Sequence, residues 1–181
     1  MLGPLSVSTH VLFLANSAAV TVLGLLVLRE LELSPAAYGV VLSATGLGWF
    51  LGALAAPRAA RRLGEGNTIV ASRVLCGLAW GATALTPADG PAWLPFAFVS
   101  ATQLAYGFSI GVEDPSEMAL RQSATPRGML GRVNATLRSG NRSVALLGAL
   151  LGGVLAGALG YRPTLVLAVG VFAVAVAVAA A

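Results

Sequence analysis

The sequence predicts an all-α protein, an integral membrane bundle of six helices, and three observations lead there. Of its 181 residues, 57% are hydrophobic before the 22 glycines are counted, an apolar share well above the ~45–50% of soluble domains. Only 10% are charged, yet the chain is too apolar to have the composition of disorder. Charged residues and Pro/Gly clusters divide it into six apolar segments. At ~20 residues per transmembrane helix the length suits about six spans in one domain.

The segments run approximately over 7–28, 36–56, 67–86, 91–112, 143–160 and 162–181. A cleavable signal peptide is not expected, because the first ten residues lack a positive region and the apolar run that follows lasts a full span. The second stops near Pro57, where Arg58, Arg61 and Arg62 follow. The third carries the single Cys76 and one internal charge, Arg73. Arg73 lies only about 5 residues from the end of its segment, roughly 7 Å at 1.5 Å per residue, so its side chain is expected to snorkel to the interface. The fourth segment gives way to a long, Arg-rich cytoplasmic link, 113–142, and the fifth and sixth are joined by a short connection.

Arginine sets the orientation, since basic residues are retained on the cytoplasmic side during insertion. With the N-terminus inside, nine of the eleven arginines are cytoplasmic, Arg127 and Arg142 among them, and only Arg29 and Arg162 lie outside. Tyr38, Trp93 and Tyr161 then fall at outer helix ends, at headgroup level. The reading is a multi-pass plasma-membrane protein with both termini cytoplasmic.

Several function classes are disfavoured. The net charge of +4 reflects few charges in total, eleven Arg against seven acids, which argues against nucleic acid as a partner. One Cys and one His give neither an internal disulfide nor a zinc set. No Asp or Glu falls in the middle of a span, and His10, the one histidine, lies close to the cytoplasmic end of the first helix. An enzyme is therefore not expected, and neither catalytic, cofactor nor metal residues are assigned.

Three patterns remain. Gly48 and Gly52, with Gly148, Gly152, Gly153 and Gly157, form Gly-xxx-Gly pairs suited to close helix packing. In the first helix His10, Ser17, Thr21 and Gly24 share a stripe flanked by Asn16, and in the fourth Ser100, Gln103 and Gly107 do so beside Tyr106. Polar residues of membrane proteins face the interior, where these two stripes line a cavity or join helices. In the long link, Thr125 is expected to N-cap a helix with Pro126 at its first position, and Met129, Leu130, Val133 and Leu137 recur at helical spacing. The sequons at Asn134 and Asn141 lie on the same link and are read as chance matches.

The frame Gly52-x11-Gly64 around Arg58, Arg61 and Arg62 resembles the cytoplasmic loop motif of the major facilitator superfamily. The form is the degenerate one of the C-terminal half, without the acidic residue of the stronger copy. The run Ala119-Leu120-Arg121-Gln122 through Thr125-Pro126-Arg127 to Gly131-Arg132-Val133-Asn134 is similar to the link between the tenth and eleventh helices of twelve-helix exporters in that superfamily, in the branch with macrolide and siderophore efflux proteins. The resemblance implies that the chain is helices seven to twelve of a secondary exporter of small drug- or siderophore-like molecules, working by alternating access. It implies an antiporter whose proton-coupling residues lie elsewhere, and it makes Asn16, Ser17, Thr21, Ser100, Gln103 and Tyr106 candidates for the substrate path. Its partners would be the bilayer, the substrate, and either a missing N-terminal half or a second copy of the chain. The alternative is a non-transporting membrane fragment or assembly partner.

Overall fold

The computed structural model describes residues 2–180, with the side chains of 7–126 and 128–179. Six helices follow one another, α1 (Leu2–Leu25), α2 (Pro35–Leu63), α3 (Glu65–Ala84), α4 (Trp93–Ala124), α5 (Leu130–Leu159) and α6 (Tyr161–Ala180). A π-helical turn, Leu26–Glu30, extends α1, and a short 3-10 turn, Arg127–Met129, precedes α5. Ser34 N-caps α2, accepting from the Ala37 amide at 3.2 Å, with Pro35 in the first turn. Single glycines make two of the connections: Gly64 (φ 79°) and Gly160 (φ 93°) hold backbone conformations that residues with a Cβ rarely adopt.

The helices overrun the apolar segments. Pro57 lies inside α2, which continues to Leu63, so Arg58, Arg61 and Arg62 ride on its last turns rather than on a loop. Proline removes one amide donor, and within membrane helices neighbouring groups and local adjustments compensate. In the same way α4 runs through Pro115 to Ala124. The expected link 113–142 therefore consists mainly of the end of α4 and the start of α5, which is unbroken from Leu130. Thr125 does not act as the expected N-cap. It is the extended C-cap residue of α4, its hydroxyl without a partner among the described residues, because a residue before proline is pushed out of the helical region. The side chain of Arg127 lies outside the described residues.

Helix contacts trace an arc in the order α5, α1, α6, α3, α4, α2. Its core is apolar, with Leu23, Leu26, Trp80 and Phe172 buried among α1, α3 and α6. By length and hydropathy, α1 with its π-helical turn, α2, α5 and α6 are each able to cross a membrane. The inner helices α3 and α4 carry more polar residues, Thr68, Ser72, Arg73, Thr102, Gln103 and Glu113 among them, and these are buried within the protein. The six helices form a membrane bundle with no strand among the described residues. Ser8 of α1 donates to the carbonyl of Ala175 in α6, which puts the two chain ends at the same end of the bundle. At the opposite end Arg162 pairs with Glu30 and donates to the Ala84 carbonyl at 3.0 Å.

Glycine decides how closely the outer helices approach. A Cβ at Gly48 would stand 2.1 Å from the Leu104 carbonyl oxygen, and at Gly107 2.0 Å from that of Thr45. One turn further on, Gly52 and Gly111 oppose each other in the same way, so that α2 and α4 touch backbone to backbone. On the other flank Gly148 and Gly152 admit Leu14 and Ala18 of α1, whereas Gly153 and Gly157 meet nothing within 4 Å. Lipid tails are as apolar as side chains, so it is close contact that holds such helices together.

Gly107→Ala or Gly111→Ala should therefore separate α2 from α4 and destabilise the protein by about 1–3 kcal/mol, the usual range for overpacking. Gly153→Ala should leave stability unchanged. Thermal unfolding of the three variants in one detergent checks this, and equal midpoints would show that the seam does not hold α2.

Candidate functional site

In α3 the buried positions Ile69, Ser72, Arg73, Cys76, Trp80 and Thr83 recur at helical spacing and form its inward face. Arg73 is therefore aimed into the bundle, and it is 0% exposed. It does not snorkel as expected from its distance to the helix end. Position along the axis says how near water is, but angle around the axis decides which way the side chain leaves. Arg73 Nε donates to Glu113 Oε1 of α4 at 2.8 Å, and Nη2 donates to Thr9 Oγ1 of α1 at 3.0 Å. Nη1 reaches Ser8 Oγ, and Glu117 Oε2 stands 3.6 Å from Nη2.

The network continues along α4 and onto α5. Arg121 pairs with Glu117 one turn earlier and donates to Asn134 Oδ1 of α5 at 3.3 Å. Six polar side chains thus tie α1, α3, α4 and α5 together at the end that carries both termini, with Ser8 extending the tie to α6. The planar guanidinium suits this place because its five donors are fixed in a fork and several acceptors are satisfied at once. Beside the network a pocket of about 400 Å³ opens between α1, α4 and α5. Phe13, Asp114, Glu117, Arg138 and Asn141 are among its walls.

The stripe on α4 is continuous, because Gln103, Tyr106, Glu113, Glu117 and Arg121 are spaced by three, seven, four and four residues. Gln103 is 1% exposed; its amide donates to Thr83 Oγ1 at 3.2 Å and accepts from Thr45 Oγ1 at 3.5 Å. Tyr106 is buried, its ring 4.8 Å from that of Trp80, and the Asn16 amide faces it from α1. Asn16 Oδ1 and Ser100 Oγ are buried without a partner among the described residues. Thr21 bonds its own helix, donating to the Ser17 carbonyl at 2.8 Å, and Ser17 is half-buried beside it. His10 packs against Gly140 of α5.

Of the loop-motif residues, Gly52 is in the α2–α4 seam and Gly64 is the turn, while Arg58, Arg61, Arg62 and Arg132 are exposed. Arg121 alone joins the buried network. Sequence reasoning missed Glu113 and Glu117 as site residues by assigning them to the link, and it took Asn134 and Asn141 for chance sequons. The available signal was the period of the α4 stripe, which passes 113 without a break.

A family model described as Major Facilitator Superfamily matches residues 5–181. A search of curated proteins found no match.

Removing one member of a buried ion pair typically costs ~3–5 kcal/mol, because the other charge stays buried alone. Arg73→Leu and Glu113→Leu should each destabilise the protein by that amount. The double variant should recover most of the loss, since an apolar pair of similar volume is often neutral. Unfolding midpoints of the two single variants and the double variant measure this, and additive losses would mean that the two residues do not act as a pair.

Proposed function

This chain belongs to the Major Facilitator Superfamily and is a multi-pass membrane transporter of that family, and from that premise we propose that it works as helices seven to twelve of a secondary active exporter. The substrate class is a small drug- or siderophore-like molecule, the mode is antiport by alternating access, and the membrane is the plasma membrane. The observation that carries this reading is the polar stripe of α4 from Gln103 to Arg121, facing α1 and α3. Buried polar groups in a membrane protein require partners, yet Asn16 Oδ1 and Ser100 Oγ beside this stripe have none among the described residues. A substrate or its water supplies them during passage. Asn16, Ser17, Thr21, Ser100, Gln103 and Tyr106 form the wall of the path. The Arg73 network at the cytoplasmic end holds α1 against α4 when that end is closed.

The outer helices support a covering partner. Trp49, Phe50 and Leu54 of α2 and Leu146, Leu147 and Leu150 of α5 are exposed, as expected of faces turned to lipid or to a second six-helix unit. Because the two halves of the fold are related by an axis along the membrane normal, either an N-terminal half or a second copy fits without inverting topology.

Orientation is tested with single cysteines in a Cys76→Ser background. Cysteines at Ala60 and Ser123 should be shielded from an impermeant thiol reagent in intact cells, and one at Ala88 should react. The reverse pattern would overturn both the N-in orientation and the assignment of the arginine-rich end to the cytoplasm.

Transport is tested by reconstituting the chain at falling protein-to-lipid ratio and counting subunits by photobleaching. Flux should be absent from vesicles holding one subunit; robust flux there refutes the half-transporter account. In the active assembly Gln103→Ala should change substrate affinity by roughly two- to tenfold, the worth of one hydrogen bond. Unchanged kinetics with a lowered unfolding midpoint would assign the amide to helix packing.

A further inference from the structure

The pocket between α1, α4 and α5 is a built site whose charges do not cancel locally. Its lining includes two carboxylates, Asp114 and Glu117, and two guanidinium groups, Arg121 and Arg138. Glu117 and Arg121 neutralise each other. Behind them Arg73 and Glu113 do the same. Among the described residues Asp114 then has no ion pair and only the Trp49 indole N–H, 3.1 Å from Oδ2, for company. Arg138, on the facing wall formed by α5, has none either. Asn141, in the same lining, is 8% exposed, and its Oδ1 is buried with no donor among the described residues.

An orphaned acceptor and an unpaired carboxylate in one lining call for a donor that bears positive charge, and a protonated amine has both properties. The unpaired Arg138 on the opposite wall lacks an anion, for which its guanidinium fork is suited in carboxylate form. Phe13 and Met118 supply apolar surface in the same lining. We propose that this pocket binds a small zwitterion, its ammonium held by Asp114 and Asn141 and its carboxylate by Arg138, with an apolar or aromatic body against Phe13 and Met118. A simple cation leaves Arg138 unpaired, and a simple anion leaves Asp114 and Asn141 unsatisfied. The pocket volume of about 400 Å³ holds a molecule of amino-acid size with room to spare. The assignment goes beyond the transport reading, since the pocket shares no residue with the path from Asn16 to Tyr106; it rests on that reading only for its role in transport, and binding is measurable without transport.

The test is calorimetric titration of the purified chain in detergent with L-phenylalanine, its amide and its N-acetyl derivative. These present both charges, the cation alone and the anion alone. The zwitterion should bind at least about tenfold more tightly than either blocked form, the factor expected for a lost charge-assisted hydrogen bond. Asp114→Asn should bring the zwitterion down to the affinity of the N-acetyl derivative, and Arg138→Gln down to that of the amide. Both side chains are solvent-exposed, so the variants should keep the wild-type unfolding midpoint, which is measured alongside. Equal binding of zwitterion and amide by the wild-type chain overturns the proposal in favour of a cation site, and equal binding of zwitterion and N-acetyl derivative in favour of an anion site. No binding of any of the three at millimolar concentration also overturns it. Selective binding without flux from any vesicle preparation would leave the site intact and remove the transport reading. Flux of another compound without binding of the panel would do the reverse.

Discussion

A charged guanidinium cannot be left without acceptors inside a membrane bundle, and the burial of Arg73 organises one whole end of this protein around that requirement. Its fork takes a carboxylate from α4 and hydroxyls from α1. The same residues then recruit α5 through Arg121 and Asn134, and α6 through Ser8. Five helices therefore share one set of mutually satisfied groups. Burial of a charge contributes little to net stability when the pair is compared with apolar residues. Its effect is to fix register, because a shift of one helix along its axis leaves one of the charges without its counterpart.

The glycine seams set a second constraint, on distance rather than register. Backbones can touch only where no Cβ intervenes, and the four seam glycines of α2 and α4 occupy successive turns of both helices. α2 is thereby bound to α4 as tightly as helix geometry permits, and α5 to α1 through Gly148 and Gly152. The two outer helices each ride on one inner helix that carries a polar stripe. A movement that separates α1 from α4 would carry α5 and α2 with them, and the pocket that α1, α4 and α5 line would change shape. The Arg73 network and the Arg162–Glu30 pair close opposite ends of the bundle, so electrostatic ties at the ends and backbone contacts along the flanks divide the task of holding the arc.

Much of this was legible from the sequence. Composition and the spacing of apolar runs determine six helices, because a segment in lipid must satisfy its own backbone hydrogen bonds. The Gly48/Gly52 and Gly148/Gly152 pairs mark close-packing faces, whereas Gly153 and Gly157 face open space, and the arginine distribution puts both chain ends and the basic segments at the same end of the bundle. Each of these depends only on neighbours along the chain or on the contrast between lipid and water. The lengths of the helices were less legible. Pro57 and Pro115 look like stops, yet both lie within helices, since the loss of one amide donor does not outweigh the turns that continue beyond it.

Tertiary structure alone decided the fate of the charges. Arg73 lies near a helix end in the sequence and Glu113 lies just past an apolar run, and each by itself fits a side chain reaching for water. Their pairing joins positions forty residues apart on different helices, and it depends on the rotation of α3 and α4 about their own axes, which is set by the packing of every other face. The same holds for Asn141, whose pocket is walled by α1 and α4 as well as by its own helix. A single sequence determines which segments are helical and roughly where along each helix a residue falls. Which polar groups meet across the bundle follows only from how the helices turn toward one another.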